Sequence, residues 1–180
     1  RLNAQIELVI SNNPVAGGLA HASKADIPHL IVSHKKFGDV AAFSEAIFSA
    51  IKAADIDLVV MGGFLRRLTI PPAYENRVIN IHPSLIPAFC GKGFYGKKVH
   101  QAVVDYGCKL SGCTVHYVDD QYDHGPIIAQ ETVPVETTDT ANTLAMRVFE
   151  KECELYPAVI NAILAGNVTI KDRCVAISKP

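Results

Sequence analysis

Between residues 39 and 54 the apolar side chains Val40, Phe43, Ile47, Phe48 and Ile51 recur at helical spacing. Two short apolar runs bracket them, HLIVSH at 29–34 and DLVVMGGF at 57–64. This order constrains the fold more than any other feature. A helix between apolar runs that lack polar alternation reads as a βαβ unit, whose strands are buried in a parallel sheet. QIELVIS at 5–11, closed by the turn-rich NNPVAGG, supplies an earlier strand, and VINI at 78–81 a later one. Residues 97–106 read as a helix with Val99, Val103 and Val104 on one side and Gly107 as its stop. CTVHYV at 113–118 and PIIAQETVPV at 126–135 are further strands, joined by DDQYDHG. Residues 139–165 form a long helical pattern with Asp139 as its N-cap and Gly166 as its stop. Pro157 predicts a kink or break within it. A short strand pair, 168–170 with 174–177, closes the chain. The expectation is an α/β fold: an open, mostly parallel twisted sheet with helices on both faces, in a single domain over residues 1–180.

Composition limits the function classes. Hydrophobic residues make up 49% and charged residues 19% of the 180, a globular balance. The formal charge of −1 gives no field to gather nucleic acid or an acidic membrane surface, so neither partner is expected. The five cysteines are irregularly spaced without a CxxC pair, which signals neither a zinc site nor a disulfide framework. Reduced thiols in a cytoplasmic setting are the simplest reading. No apolar run is long enough to span a bilayer, and no signal peptide is visible.

Polar groups gather where the apolar runs end, which in open parallel sheets is where ligands bind. The 57–64 run leads into GGFLRRL, and CTVHYV runs into DDQYDHG. Asn80 and His82, two residues apart on an extended backbone, share a face at the exit of a third run. An amide, an imidazole and a carboxylate converging there would form a general acid/base with an oxyanion donor. Ordinary structural roles account for the same residues. Asn80 and His82 could cap a turn, Asp123 before His124-Gly125 suits an Asx-turn, and His116 suits a hydrogen-bonded, partly buried position. Arg66 and Arg67 could be solvated loop charges.

NIHPSLIPAF at 80–89, HYVDDQYDHGPIIAQ at 116–130, VPVETTDT with RVFEKECELYP, and GFLRRL at 63–68 together resemble the phosphoribosylglycinamide formyltransferases, within the folate-dependent formyltransferase family. The resemblance runs from about Gln5 onward. It implies transfer of the formyl group of 10-formyltetrahydrofolate to the amine of glycinamide ribonucleotide in purine synthesis. It implies Asn80 as a donor to the formyl oxygen, His82 as proton donor and electrostatic stabiliser, and Asp123 as the group that holds His82 protonated. Asp123 must then lie within hydrogen-bond reach of His82, directly or through one water. The folate would lie against Leu65, Arg66, Arg67 and Leu68, against Asn80, and against Val118, Asp119, Asp120, Gln121, Tyr122 and Asp123. Glu152, with Phe149 near the phosphate, would contact the ribonucleotide. The partners are these small molecules, with no metal, and the assembly is a monomer or homodimer.

The chain departs from that family at four places. The family opens with a strand and a Gly-x-Gly-Ser-Asn loop that holds the substrate phosphate. Neither is present here, and the first strand corresponds to the family's second. With Arg1 in place of Met, the expectation is that a preceding segment is missing; otherwise the phosphate is held differently and transfer is weak. The lost strand would leave a gap or new edge in the sheet centre. Phe149 stands where many relatives carry a polar residue, Val40 where some carry arginine, and His124 where they have a small residue. Formyltetrahydrofolate hydrolase and methionyl-tRNA formyltransferase share the motifs but normally add a domain. A non-catalytic folate-binding module is the reading from a different class.

Overall fold

The computed structural model describes residues 2–178. Its central α-helix, α2 (Val40–Ala53), starts where the sequence stops it from starting earlier: the Asp39 carboxylate accepts from Ala42 N at 2.8 Å. That bond satisfies one of the open N–H groups of the first turn. The helix buries Phe43, Ile47, Phe48 and Ile51 against Val32, Leu68, Tyr74 and Val78. On its two sides run β2 (His29–Ile31) and β3 (Val59–Met61). β1 (Val9–Ser11) precedes β2 and pairs with it in parallel, and β3 pairs in parallel with β4 (Val78–His82). The parallel pairing expected for this half of the chain holds within each of these two pairs, although β2 and β3, on either side of α2, lie in separate ladders.

Between β1 and β2 lies α1 (Gly17–Lys24), a helix that the glycine pair disguised as turn. Leu19 and Ala22 anchor it by burial. Helix formation here rests on packing, since glycine is a poor helix former.

The second half turns antiparallel. α3 (Lys97–Tyr106) leads to β5 (Leu110–Tyr117) and β6 (Ile127–Pro134), so that the sheet order is β3-β4-β5-β6 with β5 antiparallel to both neighbours. α4 (Ala141–Leu164) then crosses the sheet, and the hairpin of β7 (Val168–Lys171) and β8 (Cys174–Ile177) closes the fold. Val78 and Ile79, adjacent on β4, point to opposite faces. Val78 joins the α2 cluster, while Ile79 joins Val115, Tyr117, Val159 and Ile160 beneath α4. Leu144 and Val148 of α4 meet Val103, Cys113 and Val133 in a third cluster. Helices thus cover both faces, as expected.

Three sequence expectations change. Thr140, not Asp139, is the N-cap of α4, in a reciprocal pair with Thr143. Asp139 sits just outside and accepts both Arg147 guanidinium nitrogens, at 2.7 and 3.0 Å. Pro157 does not break α4, whose packing on two clusters carries it through as one 24-residue helix. β2 is exposed at all three positions, with Leu30 at 40% and Ile31 at 45%, and Val60 of β3 is 44% exposed. No ladder joins β1 to β3 among the described residues, so the sheet is interrupted where the family's first strand was expected. Among the described residues, no helix is long and apolar enough to cross a membrane.

Candidate active site

Asn80 and His82 occupy one face of β4 at its C-terminal end, and the antiparallel register sets Asn80 opposite His116 of β5. The Asn80 Nδ2 lies 3.3 Å from His116 Nε2. His116 Nδ1 donates to its neighbour's carbonyl, Tyr117 O, at 2.8 Å. In the neutral ring that leaves Nε2 as an acceptor for the amide of Asn80. An amide has two N–H donors, so the second is left for another acceptor.

Asp123 closes the group from the β5–β6 loop. Its Oδ2 accepts from Gly91 N at 2.8 Å and lies 3.4 Å from His82 Nδ1, while Oδ1 lies 3.7 Å from His116 Nε2. The carboxylate is 12% exposed and the backbone of Asp123 is left-handed, φ 51°. A non-glycine residue in that region is uncommon and is held there by its surroundings. Burial works against ionisation of Asp123. The nearby imidazoles of His116 and His82 and the Gly91 N–H together outweigh it and hold the carboxyl below its usual range.

His82 is 5% exposed, and its Nε2–H donates to Phe89 O at 3.0 Å. One ring nitrogen is therefore tied to the loop after β4 and the other faces Asp123. That loop is itself fastened to the sheet. Thr114 Oγ1 donates to Ser84 O at 2.7 Å and accepts from Ile86 N at 3.1 Å and Gln130 Nε2 at 2.9 Å. Ser84 Oγ donates to Ala88 O at 2.6 Å, one residue before the carbonyl that receives His82. The Pro/Gly-rich stretch is thus a braced wall.

Two recesses open on these groups. The smaller is lined by Arg66, Arg67, Leu68, Asn80, Val118, Asp119, Gln121, Tyr122 and Asp123, with Met61, Phe64 and His116. Of the residues expected against the folate, Leu65 lies instead in the larger cleft. Asp120 lines neither recess: its Oδ1 accepts from Ile70 N at 3.2 Å. The larger cleft, about 1060 Å³, runs from Asn80, His82 and Asp123 between the 91–97 loop and α4. Phe149 and Glu152 both line it, Phe149 with 61% of its surface exposed. Burial pushes the Glu152 carboxyl up. Among the described residues, no group of three His, Cys, Asp or Glu side chains is placed to hold a metal.

Sequence reasoning gave His116 only a structural role, yet it is 2% exposed and touches both Asn80 and Asp123. The cross-strand register that exposes this is absent from one strand read alone. Phe89 and Gly91 act through backbone atoms, which no residue type announces.

The arrangement joins an amide N–H, an imidazole and an ionised carboxylate at the head of the larger cleft. It suits stabilisation of charge on an oxygen and movement of a proton beside it. The formyl transferase family matches residues 1–160. A chloroplastic phosphoribosylglycinamide formyltransferase of Vigna unguiculata is 37% identical over 164 residues, which cover 90% of this chain and 53% of that protein. The chain thus spans about half the length of that plant relative. Phosphoribosylglycinamide formyltransferase of Bacillus subtilis (strain 168) is 35% identical over 92% of this chain and 83% of its own length. The crystal structure of glycinamide ribonucleotide transformylase 1 from Symbiobacterium toebii superposes with a TM-score of 0.92 at 34% identity, over 99% of this chain and 82% of that one.

Proposed function

The chain belongs to the formyl transferase family, and on that premise we propose that it transfers the formyl group of 10-formyltetrahydrofolate to the amine of glycinamide ribonucleotide. The observation that carries this reading is the convergence of Asn80 and Asp123, which line both recesses, with His82, which lines the larger. The folate lies against the residues of the smaller recess and extends past Leu65 into the larger cleft, where the ribonucleotide sits beside Glu152. Both ligands come from the cytoplasm, and a single domain carries both subsites.

The chemistry follows from the donors available. The amine attacks the formyl carbon, and negative charge grows on the formyl oxygen. Asn80 offers that oxygen the N–H that His116 does not take, a contribution of roughly 3–4 kcal/mol when preorganised. Protonated His82, with Asp123 at 3.4 Å, adds positive charge beside the same oxygen. For His82 to donate a proton directly, Nε2–H must leave Phe89 O, so a small movement of the braced loop accompanies the step. The amine loses one proton and the departing folate nitrogen gains one.

The test is formyl transfer measured with both substrates, followed by release of tetrahydrofolate and by the mass of the ribonucleotide product. Formylated ribonucleotide, lost in Asp123→Asn and His82→Ala, supports the reading. Release of formate with no gain in ribonucleotide mass overturns it in favour of hydrolysis of the formyl folate.

A further inference from the structure

We propose that His124 is a positioning residue for Asp123: with Asp119 and Arg173 it clasps the 119–124 loop so that the Asp123 carboxylate is held toward His82. This rests on the assignment of Asp123 to the reaction described above.

Three contacts enclose the loop on either side of Asp123. The Asp119 carboxylate accepts from His124 Nδ1 at 2.6 Å through Oδ2 and from Gln121 N at 2.8 Å through Oδ1. One side chain thus ties residues 119, 121 and 124 together. From outside the loop, the Arg173 guanidinium at the β7–β8 turn donates to His124 O. Gly125 then sits so close to β5 that a Cβ there would fall 1.9 Å from Tyr117 O. The chain entering and leaving Asp123 is therefore fixed at both ends.

Asp123 itself has left-handed backbone, and among the described residues its carboxylate accepts from Gly91 N and lies beside the two imidazoles. A residue in an unfavoured backbone region relaxes when its surroundings stop over-determining it. Releasing the clasp gives that freedom to the carboxylate. The His124 ring is about half exposed and lines neither recess, so it acts through Asp123 and not on a ligand. The distant hairpin thereby joins the active site through Arg173.

The experiment compares wild type with His124→Ala, His124→Gln and Arg173→Ala. Titration of the Asp123 carboxyl by carbon-13 NMR reads the placement without any substrate. Steady-state formyl transfer reads its consequence. In His124→Ala and Arg173→Ala, the Asp123 pKa rises toward its ordinary value and kcat falls roughly tenfold, while the melting temperature stays near that of wild type. His124→Gln, whose amide still donates to Asp119, recovers most of both. An unchanged Asp123 titration in both alanine variants overturns the proposal, as does a kcat loss that the glutamine variant fails to restore. Because the titration needs no substrate, a wild type inactive toward glycinamide ribonucleotide overturns the functional reading and leaves this result standing.

Discussion

Asn80 and His116 meet across the β4–β5 ladder, Nδ2 to Nε2 at 3.3 Å, and His116 is fixed in turn by Tyr117 O at 2.8 Å. The backbone of one strand thereby sets the direction of an amide on another. His116→Ala removes that acceptor and lets the Asn80 side chain turn. The loss of one orienting hydrogen bond is worth about 1 kcal/mol, or roughly fivefold in rate. The expected result is a kcat lowered by about that factor with little change in KM. A variant with wild-type kcat would show that Asn80 needs no such support.

Asp123 predicts an acid limit on stability. Its folded pKa lies below the ordinary carboxylate value, so the folded state favours the ionised form. The stabilisation is present above the unfolded pKa of about 3.9 and is lost as pH falls through the folded value. Urea unfolding of wild type between pH 6 and about 3 should therefore show a steeper loss than Asp123→Asn, which has no proton to gain there. Parallel curves for the two proteins would contradict this.

Period and turns gave only part of this candidate site, and the roles of Asn80, His82 and Asp123 came from the family resemblance. The spacing of Asn80 and His82 gives a shared face, and DDQYDHG gives a loop that returns a carboxylate. What was not legible depends on register and on backbone atoms. His116 enters only once β5 is known to run antiparallel beside β4 with Asn80 as its partner. Phe89 O and Gly91 N could be drawn from any residue type. α1 was hidden because Gly17 and Gly18 argue for turn while the packing of Leu19 and Ala22 decides for helix. Asp139 has the residue type of a cap. Its bidentate ion pair with Arg147 draws it away, and Thr140 takes the position.

That displacement can be measured. Thr140 Oγ1 accepts from Thr143 N at 3.3 Å, and Thr143 Oγ1 accepts from Thr140 N at 3.0 Å. Thr140→Ala removes the cap and should cost about 1 kcal/mol in urea unfolding, with kcat unchanged. A cost near zero would mean that Asp139 replaces it.

Tyr156 ties α4 to the sheet beneath the cleft. Its hydroxyl lies 2.8 Å from Met61 O on β3 and 3.1 Å from Ile79 O on β4. Burial pushes its pKa well up, so it acts as a neutral donor throughout the useful pH range. Tyr156→Phe keeps the ring but removes the donor, and should cost about 1 kcal/mol in unfolding free energy. A phenylalanine variant as stable as wild type would show that water takes over both carbonyls.

Gly125 offers the sharpest separation of activity from stability. A Cβ at this position would lie 1.9 Å from Tyr117 O and 2.7 Å from Tyr117 C, so the backbone of the loop or of β5 must move. Tyr117 O is the acceptor that orients His116, and Tyr117 N accepts no slack either, since it donates to Pro126 O at 2.9 Å. The movement therefore reaches the site by one of two routes, through His116 to Asn80 or through the 119–124 loop to Asp123. Gly125→Ala should destabilise by about 1–3 kcal/mol, as overpacking does elsewhere. Its kcat, measured well below the unfolding temperature where the protein is still fully folded, should fall by more than His116→Ala alone. Wild-type kcat in a folded Gly125→Ala protein would mean that the loop gives way without carrying Asp123 along.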